Sequence, residues 1–338
     1  MTAANSHLVP RQRPTEDWYA LIDLVTDSVT SPHSKRAYSR ALLDFLEWYE
    51  QSGRAGFSKA TVNAYRTFLL EEGKSRSSIN QALSAIRKLA SEAADNGLLP
   101  LALAAGVERV RGVKQEGVRA GNWLTREEAE RLVNTPVERW QAGEIPRTKA
   151  MRDQAILAVM IGAGLRRSEV AGLRWEQIQQ REGRWAIIDL SGKRGRVRSV
   201  GLPPWVKVAL DRWARAAETR EGRVFLALNK DGSLAGRVRT KGGYRTDGNL
   251  TPQAIYNVVN EHTLAAGFVD SAGNPALAAH DLRRTAAALA LRGGADLRQI
   301  QQMLGHASIT TTERYLEPMR SLQVTAPDFI QIELAPVE

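Results

Sequence analysis

Cysteine is absent from the 338 residues, which removes disulfides, thiolate nucleophiles and thiolate-ligated metals from consideration. Histidine is scarce: His7, His33, His262, His280 and His306 are the full set, and no spacing among them matches a zinc site, so no metal or other cofactor is expected. No apolar run approaches the ~20 residues that a membrane-spanning helix needs, and the polar start lacks the apolar core of a secretory signal. A cytoplasmic protein with no membrane partner is the expectation. The composition is that of a globular chain, 43% hydrophobic and 25% charged. The sign of the charge departs from balance, with 47 Lys and Arg against 37 Asp and Glu, a net +10. Such an excess favours a polyanionic partner, because each phosphate neutralised releases condensed counterions. The same excess also fits RNA, an anionic membrane or a solvated surface, so the motifs must decide.

At this length two domains are expected. After a flexible start over 1–16, apolar residues recur at helical spacing over 17–29, 32–51, a stretch behind Ser58, and 77–96, which reads as a four-helix unit within 17–105. Its exposed faces hold Lys35, Arg36, Arg40, Lys74, Arg76, Arg87 and Lys88, candidate DNA contacts that a solvated bundle would also carry. From Pro100 the periodicity lapses. Arg109, Arg111, Lys114 and Arg119 then alternate with Gly106, Gly112, Gly117 and Gly121, the composition of a flexible basic linker over 106–122.

A second domain is expected over 123–325. Thr125 and Glu128 have the spacing of a reciprocal helix cap, and 150–161 is strongly apolar, a buried helix that ends at Gly162 and Gly164. Strands are expected over 185–190 and 197–202, forming a hairpin whose tip carries Lys193 and Arg194, with a third strand over 224–228. A mobile basic loop holding Arg237, Arg239, Lys241 and Arg245 is expected over 237–249. Helices are expected over 203–217, from Thr251-Pro252 to 266, and from caps at Asp281, Asp296 and Ser308. The tail, 326–338, ends in an alternating pattern with Ile330, Ile332 and Leu334 on one face, which reads as a strand. The fold class that follows is mainly α with a small β-sheet, an α+β protein.

Several polar residues interrupt apolar elements. Arg166 follows a buried helix, where a long cation must find a counter-charge or face a ligand, and Glu169 is within reach as that counter-charge. His280 and Arg283 lie three apart at a helix start and so project to one side, where the helix N-terminus adds N–H donors suited to phosphate. Tyr315 follows His306 by nine residues. Each of these has an ordinary structural explanation by itself.

In order, however, Gly164-Leu165-Arg166-Arg167-Ser168-Glu169, Gly192-Lys193, His280-Asp281-Leu282-Arg283, Leu304-Gly305-His306 and Tyr315 resemble the tyrosine recombinase (phage integrase) family, in its simple two-domain form. The resemblance implies a core-binding helical domain followed by a catalytic domain. It implies Tyr315 as nucleophile, Arg166 and Arg283 as a clamp on the scissile phosphate, Lys193 as general acid, His280 and His306 completing the pocket, and Glu169 in support. Two guanidiniums neutralise phosphate charge without a metal, and a phosphotyrosyl bond conserves the ester energy without ATP. The implied partner is a double-stranded recombination site bound by a homo-oligomer, a dimer on each site and a tetramer in the synapse. Arg284 and Arg119 join the candidate DNA contacts. The basic stretch over 237–249 and the strand-like tail depart from the family pattern; in the family the tail is a helix that docks on a neighbouring subunit. Three alternatives stay open: a helix-turn-helix regulator built on 296–316, a type IB topoisomerase, and a metal-dependent transposase.

Overall fold

A computed structural model describes residues 17–54, 56–114, 122–192, 197–236, 238–240, 243–245 and 248–316. The chain divides into two compact units, Met1–Val118 and Arg119–Glu338. The architecture is mostly helical with a small sheet, as the periodicities require.

The first unit contains α1 (Asp17–Asp27), α2 (Pro32–Gln51), α3 (Lys59–Glu71), α4 (Arg76–Asp95) and α5 (Leu101–Glu108). Ser31, Ser58 and Ser75 cap α2, α3 and α4 by accepting from the backbone N–H three residues on. The buried stripes meet in a core of Leu42, Phe45, Val62, Tyr65, Ile79, Leu83, Ile86 and Leu89. Phe45 is its hub, edge-on to Tyr65 at 5.0 Å and packed with Trp48, Tyr49 and Phe57.

The expected linker over 106–122 is corrected in its first half. Residues through Glu108 continue helix α5, and the segment after it is strapped to the bundle. Asn80 both donates to the Val113 carbonyl and accepts from the Val113 N–H, at 3.0 and 2.8 Å. Arg66, Arg76 and Arg87 donate to the carbonyls of Arg111, Lys114 and Val110. Gly112 serves close approach here, since a Cβ at that position would lie 2.6 Å from the Asn80 Oδ1. Residues 115–121, with Arg119, lie outside the described residues.

In the second unit α7 (Arg147–Gly162) is buried from Ala150 to Ile161 and packs on α6 (Arg126–Gln141) and α9 (Pro204–Ala217). The cap on α6 is reciprocal as the spacing predicted: Glu128 N–H donates to the Thr125 hydroxyl and Thr125 N–H to the Glu128 carboxylate. Helix α8 (Arg167–Gly172) leads to a sheet of order β1-β2-β3, built from β1 (Ile178–Arg181), β2 (Arg184–Ser191) and β3 (Val197–Gly201), all antiparallel. Asp189, at φ +51°, sits in a register shift between Ile187 and Leu190.

The third strand is therefore β1, and the strand expected over 224–228 does not form. That run is buried and apolar, but its residues pair with different segments: Val224 N–H with the Leu173 carbonyl, Leu226 with Asn249, and Leu228 with Leu234. Burial without one continuous neighbour yields isolated bridges. The loop expected over 237–249 instead contains a two-stranded ribbon, β4 (Val238–Thr240) paired with β5 (Gly243–Arg245), which places Arg239 opposite Tyr244. Arg237 and Lys241 are outside the described residues.

Four helices complete the unit: α10 (Pro252–Ala265), α11 (Ala279–Arg292), α12 (Leu297–Leu304) and α13 (Ile309–Leu316). Thr251 and Asp296 cap α10 and α12 as expected. The start of α11 is corrected: it begins two residues before Asp281, whose carboxylate accepts from the Ala278 N–H at 2.9 Å. The tail lies outside the described residues. Among the described residues no helix is long and apolar enough to cross a membrane.

Gly162, at the end of α7, sets how closely that helix meets α9. A Cβ there would lie 2.3 Å from Val206 Cγ2 and 2.8 Å from the Trp205 ring. Gly162→Ala is expected to destabilise the chain by ~1–3 kcal/mol through overpacking, read as a lower midpoint in urea denaturation.

Candidate active site

Arg166, Glu169, His280, Arg283, His306 and Tyr315 converge although they come from four separate stretches of chain. Arg166 sits in the turn between α7 and α8, reached through Gly164 in the left-handed region at φ +60°. His280 and Arg283 occupy the first turns of α11. His306 follows Gly305, the left-handed cap of α12, and Tyr315 lies in the last turn of α13.

Glu169 holds the arginines in place. Its carboxylate accepts from the Arg166 N–H at 2.9 Å and from Arg166 Nη1 at 2.8 Å. It also accepts both Nη1 and Nη2 of Arg198, each at 2.8 Å. Burial pushes the Glu169 carboxyl up, but the Arg198 hydrogen bonds, the Arg166 N–H and both cations outweigh it and bring it down to about 2. Arg198 Nε donates to the Met303 carbonyl, which ties β3 to α12.

Arg283 is 1% exposed and donates through Nη1 to the Gly164 carbonyl and through Nη2 to the Leu304 carbonyl. Burial and the Arg166 charge lower it to about 9, which leaves it charged at neutral pH. Two donors are thus anchored, and the guanidinium has five.

Tyr315 is flanked by two imidazoles. Its ring meets that of His306 edge-on at 5.3 Å and that of His280 at 5.7 Å, and Arg284 lies 5.7 Å from the ring centre. Among the described residues its buried hydroxyl makes no hydrogen bond of good geometry, although Arg284 is close enough to pull on it. Burial raises Tyr315 to about 12 against the opposing pull of Arg283 and Arg284. His306 is lowered to about 4, first by burial and then by Arg283 and Arg166, and its Nδ1 lies 3.0 Å from the Thr312 hydroxyl. His280 is lowered by burial, then by Arg284 and Arg283. At neutral pH both rings are neutral, each available as proton acceptor or hydrogen-bond partner. A cleft of about 440 Å³ opens beside this group between β3 and α12, lined by Arg166, Gly192, Arg198, Gln301, Gly305 and His306.

Lys193 and Arg194, at the expected hairpin tip, lie outside the described residues. Arg284, a candidate DNA contact, lies beside Tyr315 and 3.4 Å from Asp281. Arg36 and Arg40 are exposed one turn apart on α2, while Lys35 lies 3.4 Å from Asp27. Arg76 and Arg87 are engaged with the strap after α5. The side chains of Arg239 and Arg245 are outside the described residues. Arg198 and Thr312 escaped the sequence reading. A signal existed for Arg198: it shares a strand face with buried Val200, and a cation on the inner face of a strand demands a counter-charge.

The described residues include one set of three metal-ligand types in reach of one another, Asp153, Glu261 and His262. Lys149 Nζ already bridges its carboxylates, 2.7 Å from Asp153 and 2.9 Å from Glu261, in the place a cation would take.

The sequence model of the phage integrase family matches residues 122–321, and that of the phage integrase N-terminal SAM-like domain matches 21–97. The chain belongs to the phage integrase family. It is an enzyme that breaks and rejoins DNA at specific sites, and it is similar to tyrosine recombinases of the Xer type. It is 28% identical over 288 residues to the tyrosine recombinase XerC of Thermodesulfovibrio yellowstonii, covering 84% of this chain and 85% of that protein. To XerC of Pseudomonas aeruginosa it is 29% identical over 299 residues, with 86% of each covered. The integrase fold is shared with XerH bound to a palindromic difH substrate (TM-score 0.66, 20% identity, 89% of this chain and 81% of that one). It is also shared with a lambda integrase dimer bound to a core site (TM-score 0.63, 15% identity, 95% and 99%).

The lowered His306 carries a testable consequence. Its folded value of about 4 lies below the ~6.5 of an unfolded histidine, so as the pH falls from 6.5 the unfolded chain takes up the proton first and stability is lost toward pH 4. His306→Gln is expected to flatten that part of the stability–pH curve in urea denaturation. His280, shifted in the same direction, leaves a residual slope.

Proposed function

We propose that this integrase-family chain is a site-specific recombinase that cleaves DNA through a 3'-phosphotyrosyl intermediate, with Tyr315 as nucleophile. The observation that carries this reading is the buried Tyr315 hydroxyl between two neutral imidazoles and beside the arginines. A phenol with a pKa near 12 is a poor nucleophile alone. The transfer therefore needs a base, and neutral His280 is the group we assign.

The Tyr315 oxygen attacks the scissile phosphorus, its proton passes to His280, and the bond from phosphorus to the 5'-oxygen breaks. Lys193, which follows β2 in sequence, is assigned to protonate that leaving oxygen. Arg166 and the remaining donors of Arg283 neutralise the charge gathering on the non-bridging oxygens, and His306 completes the ring of donors. Attack by a 5'-hydroxyl from a second duplex reverses the steps and exchanges strands, with no ATP and no metal in the sequence of bonds. Two cleavages on each of two duplexes call for a dimer on each site and a tetrameric synapse. The role assigned is integration, excision or resolution of a mobile element or replicon. The DNA-bound XerH and lambda integrase structures support double-stranded DNA as the partner.

The test is covalent trapping. Incubated with a pool of nicked duplexes and then denatured, the wild-type chain should retain DNA through a 3'-phosphate and release a 5'-hydroxyl end. Sequencing of the retained DNA gives the site. Tyr315→Phe should bind that site with unchanged affinity and form no adduct on a denaturing gel. Adduct on Tyr315→Phe overturns the assignment, and retained DNA with no common sequence favours a topoisomerase.

The tail, 326–338, is assigned to link neighbouring protomers. Ile330, Ile332 and Leu334 form an apolar stripe in sequence, and the catalytic unit carries a cleft of about 950 Å³ whose lining includes Val133, Ile161, Trp205, Leu289 and Met303 together with the charged Arg126, Glu127, Glu130 and Arg292. Docking of the stripe in that cleft of the next protomer removes both surfaces from water. Deletion of residues 327–338 should leave binding to a half-site intact and lower the cooperative binding of a second protomer at least ~10-fold in a mobility-shift titration, a loss of ~1.4 kcal/mol of coupling.

A further inference from the structure

The two imidazoles beside Tyr315 are neutral at pH 7, so among the described residues the positive field at the site comes from guanidiniums. Arg166 faces the cleft and is one third exposed, but its counter-ion Glu169 lies 2.8 Å from it. An isolated Arg166–Glu169 pair has no net charge to offer a phosphate. Arg198 changes the balance. It holds both Glu169 oxygens in a fork, is itself only 10% exposed, and is locked by a third bond to the Met303 carbonyl. Arg166, Arg198 and Arg283 against Glu169 leave two positive charges in the described site. A phosphodiester carries one negative charge, and the five-coordinate species formed by phenolate attack carries two.

We infer that Arg198 is a positioning residue that neutralises Glu169 and so releases the charge of Arg166 to the scissile phosphate. Arg198 acts through Glu169 and does not touch the DNA. Gly305 belongs to the same device: a Cβ there would lie 2.8 Å from Arg198 Cδ, so the residue before His306 stays small to admit the arginine. Bidentate geometry matters as well as charge, because a guanidinium matches both carboxylate oxygens and an ammonium does not.

This inference rests on the recombinase reading above, and the experiment separates the two. Full-length chains carrying Arg198→Met, Arg198→Lys, Glu169→Gln and the pair Arg198→Met with Glu169→Gln are compared by adduct formation on a nicked duplex bearing the trapped site. Affinity for the uncleaved duplex and the urea midpoint are measured alongside. Arg198→Met should slow cleavage ~10–100-fold, in the range seen when a charge-stabilising donor is lost, with duplex affinity within ~3-fold of wild type. Arg198→Lys should fall between the two.

Adding Glu169→Gln to Arg198→Met should recover at least ~5-fold of the rate, because the uncompensated anion is gone; a purely structural role predicts further loss. A scissile methylphosphonate, which has one charge fewer, should narrow the gap between Arg198→Met and wild type. A flat cycle, or an equal defect on phosphate and methylphosphonate, overturns the role of Arg198 while the adduct on wild type keeps the recombinase reading. If wild type forms no adduct on any duplex, both fall together.

Discussion

One carboxylate sustains the site. Collecting cations at a single point in a partly dry cleft is unfavourable, since each guanidinium loses hydration and repels the others. Glu169 offsets that cost through four hydrogen bonds, two from Arg166 and two from Arg198, and it is itself 7% exposed. Its proton affinity falls far enough to keep it ionised at neutral and mildly acidic pH. A buried pair of this kind adds little to stability compared with well-packed apolar residues, but removing one partner strands the other charge. The arrangement therefore serves geometry and field more than folding.

Arg283 solves the same problem differently. It has no carboxylate of its own and uses the carbonyls of Gly164 and Leu304, the first in the turn before α8 and the second at the end of α12. Both carbonyls are available because the chain turns through left-handed glycines, Gly164 at φ +60° and Gly305 at φ +62°. A buried cation thereby stitches together the segments that carry Arg166 and His306. The hydrophobic effect supplies the platform: α7 is buried on all sides between α6 and α9, so the turn that follows it is rigidly placed.

Charge also explains the protonation of Tyr315 and the two rings beside it. The hydroxyl of Tyr315 is buried and its pKa is high, and the imidazoles are held neutral by the same burial and the same arginines.

Much of this was legible in the chain. Caps such as Thr125 with Glu128 and Asp296 with Gln299 are local hydrogen bonds between residues three apart, so sequence spacing determines them. The helical periodicity of the bundle is local in the same sense, and the motifs from Arg166 to Tyr315 point to the family by their residue types and their order along the chain. Other features depended on distant neighbours. The run over 224–228 has the composition of a strand, but strand formation needs one continuous partner and it meets three. The glycines at 106 and 112 look like linker residues, yet one lies in a helix and the other accommodates Asn80. Arg198 stands 29 residues from Glu169, and no periodicity links them. Sequence alone determined the family and which segments are helical, because those are local or compositional properties. Which cation neutralises which anion was decided by the tertiary structure, because electrostatics acts through space and only folding sets those distances.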